Sequence, residues 1–527
     1  MSTRIIPPDA RERQTTASDP SISAFVAANA GSGKTHVLVQ RVIRLLLSGV
    51  APEKILCITF TKAAAANMAE RVFTTLGHWI TLDDDALDGA IRDAGAVPSA
   101  KLRRRARELF ASALDTPGGL KVQTIHALCT RLLQQFPFEA NVPAHFAVLD
   151  DRDQAEMLER ASLSVLLAAS ADPDSRAGRA LTTAMATSAD ITFRDVVREA
   201  CLNRDRFMTW IGETADLDAA MAHVSRALGI APELTAEELD ADIVDGPHLP
   251  SSQWRAAAAM LEAGSSNDQK QAARLRDALS LAGPARADKY IELFGREDKG
   301  VFVKRATLLT KATAQQHPSL AQALTDEQPR VLALREQRCA LAMRDRTQAL
   351  LTIALLVADG YRREKQARGV LDYDDLIGKT LAMLERVSSS WVHYKLDRGV
   401  DHVLIDEAQD TSPQQWEIVA RLTAEFTSGA GARDGVRRTI FAVGDEKQSI
   451  FSFQGAAPRE FDARRRAFKR QFEEAGLAFL PVAFTYSFRS GPVILESVDA
   501  VFRDEAIYRS IHAAENAAPL HQALADA

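Results

Sequence analysis

The sequence predicts an α/β protein whose parallel sheet is interrupted by a large, mostly helical insertion. Near both ends of the chain, short apolar segments alternate with longer amphipathic ones, as expected of strands joined by helices in a parallel sheet. Between about 145 and 370 the chain is rich in Ala, Leu, Arg, Asp and Glu and has few β-branched runs, which favours helices.

The predicted elements of the sheet follow from these segments in order. Short buried runs bounded by turn residues predict strands, and apolar residues at helical spacing predict the helices between them. The predicted strands are 21–28, 55–59, 121–124, 402–405, 439–443 and 481–486. The predicted helices that follow them include 34–47, 62–76, 125–135 and 493–502.

Composition limits the class of protein. Hydrophobic residues make up 46% and charged residues 25%, the balance of a globular protein. No apolar run reaches about 18 residues, so we expect no transmembrane helix and no membrane partner. The N-terminus lacks the apolar core of a secretory signal, and the four cysteines form no CxxC pair, so we expect a cytoplasmic protein without a zinc ribbon.

The net charge of −6 does not exclude nucleic acid, because a motor protein binds DNA along a local groove. Two basic runs lie at 101–107 (KLRRRAR) and 464–470 (RRRAFKR). Solvated helix faces are the simplest interpretation of both runs, and a nucleic-acid contact is the alternative.

A glycine-rich loop between the first strand and the first helix has the pattern of a phosphate-binding P-loop. Its glycines let the backbone N–H groups approach phosphate at a helix N-terminus. Lys34 would neutralise the β- and γ-phosphates of ATP, and the Thr35 hydroxyl would bind Mg²⁺. The strict pattern begins with Gly, where this chain has Ala28. The predicted loop comprises Ala28, Asn29, Ala30, Gly31, Ser32, Gly33, Lys34 and Thr35.

A pair of carboxylates follows the apolar strand at 402–405. Parallel strands present ligand-binding residues at their carboxyl ends, so Asp406 and Glu407 are candidates for the ATP site. Asp406 would hold Mg²⁺ through water, and Glu407 would act as the general base that polarises the attacking water. An Asp-Glu pair is also common in surface turns, and its combination with the P-loop favours the functional interpretation.

Six short motifs occur in the order found in UvrD/Rep-like superfamily-one DNA helicases, which the chain resembles. The fuller wording at 370–377 (VLDYDDLI) and 441–456 (FAVGDEKQSIFSFQGA) is most similar to helicase–nuclease proteins of the AddA type, with RecB as the nearest relative. The motifs are Gln14, 59–64 (TFTKAA), 124–126 (TIH), 406–410 (DEAQD), 443–456 (VGDEKQSIFSFQGA) and 488–490 (FRS).

The resemblance implies a motor made of two RecA-like domains with ATP between them. It divides this chain into 1–145 and 371–478 as the two parts of the first RecA-like domain, 146–370 as a helical inserted domain, and 479–527 as the start of the second RecA-like domain. Too few residues follow 489 for a whole second domain, so we expect an N-terminal portion of a longer protein. A role in double-strand break repair and recombination is also implied, together with a partner of the AddB type.

The resemblance implies roles for further residues of the ATP site. Gln14 matches the family's adenine-recognising glutamine, and Phe488 matches its adenine-stacking aromatic residue. Gln448 matches a residue that contacts the γ-phosphate and the attacking water, and Arg489 matches an arginine that reaches the γ-phosphate. His36 stands where the family often has an arginine beside adenine.

The resemblance also implies contacts to single-stranded and double-stranded DNA. Aromatic side chains would stack on bases, with core packing as the alternative; they are Phe60, Phe451 and Phe453. Polar side chains would donate to or accept from the DNA backbone; they are Thr61, Thr124 and His126, the last with a buried structural role as its alternative. The chain departs from the family pattern at Gln454, which replaces an arginine, and at Ser487, which replaces an asparagine.

The leading hypothesis is therefore an ATP-dependent DNA helicase or translocase. A second hypothesis is a nucleotide-regulated module that binds single-stranded DNA or a partner without turnover. Retention of Glu407 and Gln448 favours turnover, because a pure binding module needs neither. A third hypothesis, a small-molecule P-loop kinase, is disfavoured by the distance along the chain between Lys34 and Asp406 and by the aromatic pair Phe451 and Phe453.

Overall fold

The computed structural model describes residues 6–116, 119–186, 190–387, 399–427, 435–449, 457–504, 506–507 and 521–523. Phe451, Phe453 and Gln454 lie outside the described residues. The chain divides into two compact units, one formed by Met1–Leu149 with Gly369–Ala527 and the other by Asp150–Arg368.

The first unit is built on a six-stranded sheet in which every neighbouring pair is parallel. Its spatial order is β6-β1-β5-β4-β2-β3. The strands are β1 (Ser23–Ala28), β2 (Ile55–Thr59), β3 (Lys121–Thr124), β4 (His402–Ile405), β5 (Thr439–Gly444) and β6 (Phe479–Phe484). The predicted α/β class with a parallel RecA-type sheet is confirmed.

Two short parallel pairs lie outside this sheet. Ala147–Val148 pairs with Val370–Leu371, close to the two points where the chain passes between the units. Tyr486–Ser487 pairs with Gln522–Ala523.

The strand β6 differs from its predicted assignment. The sequence analysis places 479–527 at the start of a second RecA-like domain, whereas Phe479–Phe484 pairs along its whole length with Ser23–Ala28. The strand is therefore an edge strand of the first sheet. Its register brings the residues that follow Phe484 to the phosphate loop.

Helices cover both faces of this sheet and form two apolar cores. Successive residues of a strand point to opposite faces, so Phe25 packs in one core and Val26 in the other. The helices of this unit are Pro8–Ala17, Lys34–Ser48, Lys62–Thr81, Asp84–Asp93, Ala100–Leu114, Ile125–Gln135, Pro137–Ala140, Tyr373–Arg386, Pro413–Thr423, Pro458–Glu474 and Pro492–Phe502. Burial on both faces explains why the strands are continuous apolar runs.

The second unit is mostly helical. Its longest element is a 51-residue helix, Pro318–Arg368. The other helices are Asp151–Ala171, Arg176–Met185, Asp190–Leu202, Arg204–Glu213, Leu217–Ala227, Ala236–Val244, Trp254–Glu262, Ser266–Ser280, Gly283–Ile291 and Lys311–Gln316. Its only described strands, Gly295–Asp298 and Val301–Lys304, form an antiparallel pair.

The core of the second unit is centred on Trp254 and Tyr290, whose rings stack with centroids 4.3 Å apart. In the described parts of both units, every helix is too short or too polar to cross a membrane.

The parallel arrangement explains where a site can form. All six strands of the main sheet end at the same edge, and the short turns that leave this edge carry the predicted functional residues. Lys34 follows β1, Phe60 and Thr61 follow β2, and Asp406 and Glu407 follow β4.

Candidate nucleotide-binding site

The loop after β1 forms a cradle whose shape depends on two glycines. Gly31 (φ 73°) and Gly33 (φ 89°) have left-handed backbone conformations, which L side chains adopt only with strain. A Cβ atom on Gly31 would also lie 2.5 Å from Cβ of Arg489. Inside the cradle, the buried Ser32 hydroxyl has no hydrogen-bond partner among the described residues. Such a loop at the start of Lys34–Ser48 fits an anion with hydrogen-bond acceptors.

Lys34 meets the first acidic residue pair across the edge of the sheet. Its Nζ donates to Oε2 of Glu407 at 3.1 Å, and the Lys34 side chain is only 10% exposed. Glu407 has a left-handed backbone (φ 48°), which is uncommon for a residue with a side chain and is often found at functional sites. Its backbone N–H donates to Oδ1 of Asp406 at 3.0 Å. This turn directs the Glu407 carboxylate towards the phosphate loop.

Gln409 links this carboxylate to the neighbouring strand. Its Nε2 donates to Oε2 of Glu407 at 2.8 Å and to Oδ2 of Asp410 at 3.2 Å, while its Oε1 accepts the Asp445 N–H at 2.9 Å. Gln448 Nε2 donates to Oδ2 of Asp445 at 2.5 Å. A continuous hydrogen-bonded path therefore joins Glu407 to Gln448. The sequence analysis did not single out Gln409, although it lies inside the quoted DEAQD motif.

A second lysine connects β5 to the phosphate loop. Nζ of Lys447 donates to Oδ1 of Asn29 at 2.5 Å and lies 3.8 Å from Oδ1 of Asp445. Asn29 is buried, so this charge-assisted bond satisfies a side-chain oxygen that water does not reach. Lys447 was not predicted as a site residue, and no pattern within its own segment indicates that it contacts Asn29.

Burial changes the acidity of the carboxylates at the end of β4. Asp406 is 8% exposed, and burial raises its pKa to about 6, with a further contribution from Glu407 and an opposing one from Lys34. Burial also raises the pKa of Asp410. Negative charge is thus concentrated in a poorly solvated region, where a cation would stabilise it.

The donor set fits Mg²⁺ bound together with phosphate. Magnesium keeps several waters and takes one or two protein oxygens beside the phosphate oxygens. Thr35 lies in the first turn of Lys34–Ser48, and Asp406 ends β4 at the same edge of the sheet. Among the described residues there is no group of three or more His, Cys, Asp or Glu suited to a metal held by protein alone.

Gln14 and Phe488 both lie against Gly33. Nε2 of Gln14 donates to the Ser32 carbonyl at 3.2 Å. A Cβ atom on Gly33 would be 3.0 Å from Nε2 of Gln14 and 3.7 Å from Cε2 of Phe488. The structure therefore brings together two residues that are far apart in sequence and that the resemblance assigns to the base of the nucleotide.

The segment after β6 is fastened to the phosphate loop by its backbone. The N–H of Phe488 donates to the Gly31 carbonyl at 2.8 Å, and the Ser487 hydroxyl donates to the Ala30 carbonyl at 3.0 Å. Ser487, which departs from the family pattern, is thus a buried structural contact. Arg489 is exposed, and its Cβ and backbone N approach Gly31.

His36 is exposed on the first turn of Lys34–Ser48. It lines a polar cleft with Gln40 from its own helix and with Asn67, Glu70 and Arg71 from Lys62–Thr81. Among the described residues, neither Gln14 nor an aromatic side chain lines that cleft.

The predicted DNA-contact residues follow β2 and β3. The Thr61 hydroxyl accepts the Ala64 N–H at 3.0 Å, and the Thr124 hydroxyl accepts the Ala127 N–H at 3.2 Å. Both threonines therefore cap helices and keep a hydroxyl proton to donate. Phe60 is half-buried and lines a small pocket with Ile58, Ile125, Ile405 and Val419.

His126 is also half-buried, and its ring meets Tyr373 edge to face with centroids 5.1 Å apart. Burial lowers its pKa, which favours a neutral imidazole at neutral pH. A neutral ring can donate one hydrogen bond to a phosphate oxygen but does not add positive charge.

The parallel sheet, the glycine-rich loop and the acidic strand end together define the P-loop class with a RecA-type sheet. The model of the UvrD/REP helicase N-terminal domain matches residues 9–469, and the chain belongs to this helicase family. The resemblance seen in the motifs is thereby confirmed.

Relatives within this family are named as the A component (AddA) of an ATP-dependent helicase/nuclease. The protein of Latilactobacillus sakei is 26% identical over 86% of this chain and 49% of its own length. The protein of Desulforudis audaxviator is 28% identical over 91% of this chain and 38% of its own length. The protein of Geobacillus kaustophilus is 25% identical over 95% of this chain and 40% of its own length. The chain thus spans less than half the length of these relatives.

Proposed function

We propose that this chain is the nucleotide-binding portion of an ATP-dependent DNA helicase or translocase of the AddA type. In this proposal it is the N-terminal part of a longer cytoplasmic protein that acts with an AddB-type partner in double-strand break repair and recombination. Membership of the UvrD/REP family and the names of the relatives support it. The observation that carries the proposal is the hydrogen-bonded path from Lys34 through Glu407 and Gln409 to Asp445 and Gln448.

The proposed chemistry begins with an exchange of partners at Lys34. Triphosphate carries more charge than one carboxylate, so its β- and γ-oxygens would draw the ammonium group away from Glu407. The freed carboxylate, still held by Gln409, would orient and polarise the attacking water. Thr35 and Asp406 would hold Mg²⁺, which supplies charge neutralisation at the phosphates.

The proposed coupling to DNA runs through Gln448. A neutral amide at this position can bond the γ-phosphate when it is present and return to Asp445 when it is lost. The chain continues from Gln448 into 451–453, which carries the proposed base-stacking residues Phe451 and Phe453. In this proposal, a change in the Gln448 contact is transmitted directly along the backbone to the DNA contacts.

The remaining proposed DNA contacts are on two neighbouring strand ends. Phe60 would stack on a base with the part of its ring that is exposed. The hydroxyl protons of Thr61 and Thr124 and one ring nitrogen of His126 would bond phosphate oxygens. Since β2 and β3 are adjacent and parallel, these residues leave the sheet at the same edge.

ATP hydrolysis by the purified chain, with and without single-stranded DNA, tests the proposal. We expect DNA-stimulated turnover that Glu407→Gln lowers by about 100-fold or more, the contribution of a general base. Glu53→Gln is the matched control, because Glu53 precedes β2 at the opposite edge of the sheet.

Nucleotide binding without turnover, unaffected by DNA, would instead favour the regulated binding module. A Glu407→Gln variant as active as the unmodified chain would remove Glu407 from the mechanism.

A further inference from the structure

Arg41 is a fully buried cation in the middle of the helix that follows the phosphate loop. Its Nη1 donates to the carbonyls of Ala17 (3.0 Å) and Asp19 (2.7 Å). Its Nη2 donates to the Ile22 carbonyl (2.5 Å) and to the Thr439 hydroxyl (3.1 Å). Three of these four acceptors belong to the short segment that joins the helix Pro8–Ala17 to β1.

A buried charge is costly unless its hydrogen bonds are made, so a specific arrangement is needed to keep Arg41 here. The carbonyls at the C-terminal end of Pro8–Ala17 carry the negative end of the helix dipole and favour a cation. The ring of Phe441 lies 4.9 Å from the guanidinium carbon and adds a cation–π contact. Burial lowers the pKa of Arg41 to about 9, and the group remains charged at neutral pH.

Arg44 repeats this contact almost one turn further along the same helix. Its Nη1 donates to the Thr15 carbonyl at 2.6 Å and to the Ser18 hydroxyl at 2.8 Å. Two arginines of Lys34–Ser48 therefore hold the last turn of Pro8–Ala17 and the residues after it. The hydrogen bonds described for both side chains go to 15–22 and Thr439, and none goes to the phosphate loop itself.

Gln14 lies in the same last turn, next to the Thr15 carbonyl that Arg44 binds. The side-chain amide of Gln14 donates to the Ser32 carbonyl of the phosphate loop. The contacts close a ring that runs from the loop into Lys34–Ser48, through Arg41 and Arg44 to 15–22, and back through Gln14 to the loop. The position of the Gln14 amide relative to a bound nucleotide is thus set from behind by the two arginines.

We infer that Arg41 and Arg44 are positioning residues for base selection, and that they hold Gln14 where it discriminates adenine from other bases. The inference rests on the proposed function, in which Gln14 contacts the base of ATP. It assigns the two arginines an effect on which nucleotide is bound, separate from any effect on folding.

The test compares the affinities of Mg-ATP and Mg-GTP for the full chain by equilibrium titration. Both nucleotides bind only the folded protein, so the ratio of their dissociation constants is unaffected by a loss of folded fraction. Arg44→Gln is the principal variant, because Arg44 makes fewer buried contacts than Arg41. We expect Gln14→Ala and Arg44→Gln each to reduce the preference for ATP by about tenfold, which is the effect of about one hydrogen bond.

The double variant distinguishes positioning from an independent contact. Gln14→Ala combined with Arg44→Gln is expected to lose no more selectivity than Gln14→Ala alone. Arg41→Lys, which keeps the charge but not the forked geometry, is expected to lose part of the selectivity. Arg105→Gln is the matched control, because Nε of Arg105 donates at 2.8 Å to the Leu46 carbonyl of the same helix, away from 14–22.

Two different results would overturn the inference. If Gln14→Ala lowers the ATP preference and Arg44→Gln does not, the arginines do not position the amide, while the proposed nucleotide site stands. If Gln14→Ala itself leaves the preference unchanged, the adenine contact in the proposed function is wrong, and the inference fails with it.

Discussion

Nζ of Lys34 and Oε2 of Glu407 are 3.1 Å apart, which joins the phosphate loop to the acidic end of β4. Glu407 is 38% exposed, so solvent screens the pair and its net stabilisation is modest. A modest pair is suited to an exchange of partners, because phosphate oxygens can displace the carboxylate without a large cost. The pair therefore explains how one lysine can serve the empty site and the loaded site.

Removal of the charge on Glu407 is expected to tighten ATP binding while it abolishes turnover. In Glu407→Gln, Lys34 loses a competing anion and the phosphates lose a repulsive neighbour, so we expect affinity to rise by about two- to tenfold. Titration with ATP under conditions without hydrolysis measures this change, with Glu53→Gln as control. Weaker binding in Glu407→Gln would show that the carboxylate helps to hold the nucleotide.

Replacement of Gly31 by alanine is expected to damage the cradle. The added Cβ would strain a left-handed backbone and meet Arg489, so we expect a loss of at least about 1 kcal/mol in the free energy of unfolding and a marked loss of nucleotide binding. Chemical denaturation and ATP titration measure the two effects.

Gly89 offers the matched control for Gly31→Ala. It lies inside the helix Asp84–Asp93 with no described atom within 4 Å of an added Cβ. Gly89→Ala is expected to stabilise the chain by about 0.5–1 kcal/mol. Equal effects of the two substitutions would contradict the special conformation of the loop.

The bond between Lys447 and Asn29 is expected to contribute measurably to stability. In Lys447→Met the buried Asn29 oxygen loses its donor, so we expect the free energy of unfolding to fall by about 1–3 kcal/mol. Lys289→Met is the control, because Lys289 pairs with Glu292 on an exposed surface and is expected to contribute below about 1 kcal/mol. Indistinguishable unfolding curves for Lys447→Met and the unmodified chain would refute the assigned contact.

Acid is expected to destabilise the first unit through His402. This residue is buried at the start of β4, its Nδ1 is 2.8 Å from the Thr439 hydroxyl, and burial lowers its pKa to about 3, with Arg41 nearby. Between about pH 3 and about pH 6.5 the unfolded chain binds a proton that the folded chain does not. Stability therefore falls as the pH falls through this window, by about 1 kcal/mol per pH unit.

Urea unfolding between about pH 8 and about pH 5 measures this dependence. The stability difference between the unmodified chain and His402→Gln should shrink as the pH falls, since glutamine does not titrate. His78→Gln, at an exposed position, is the control with a difference expected to stay constant. A constant difference for His402→Gln as well would contradict the role assigned to its burial.

Local patterns were sufficient for most of the sheet and for the phosphate loop. The strands β1 to β5 are apolar runs bounded by turn residues, and both properties are visible without tertiary information. The partner of β6 is not, because pairing with β1 depends on contacts hundreds of residues apart. This explains why 479–484 was assigned to another domain.

The connections between site residues were less predictable than the residues themselves. Lys34 and Glu407 belong to motifs, but Gln409 acts through the Asp445 N–H on a different strand. Arg41 has the spacing of an ordinary helix residue, and nothing in its neighbours indicates that it is fully buried. Long-range hydrogen bonds of this kind depend on packing and not on periodicity.

The most direct test of the central claim is an equilibrium titration of the chain with Mg-ATP, beside Lys34→Ala and the surface control Lys289→Ala. The account predicts saturable binding by the unmodified chain and by Lys289→Ala, and a loss of about 10- to 100-fold in affinity in Lys34→Ala, the effect of a charged hydrogen-bond donor. Equal affinity in Lys34→Ala, or no binding by the unmodified chain, would contradict the assignment of this edge of the sheet as an ATP site.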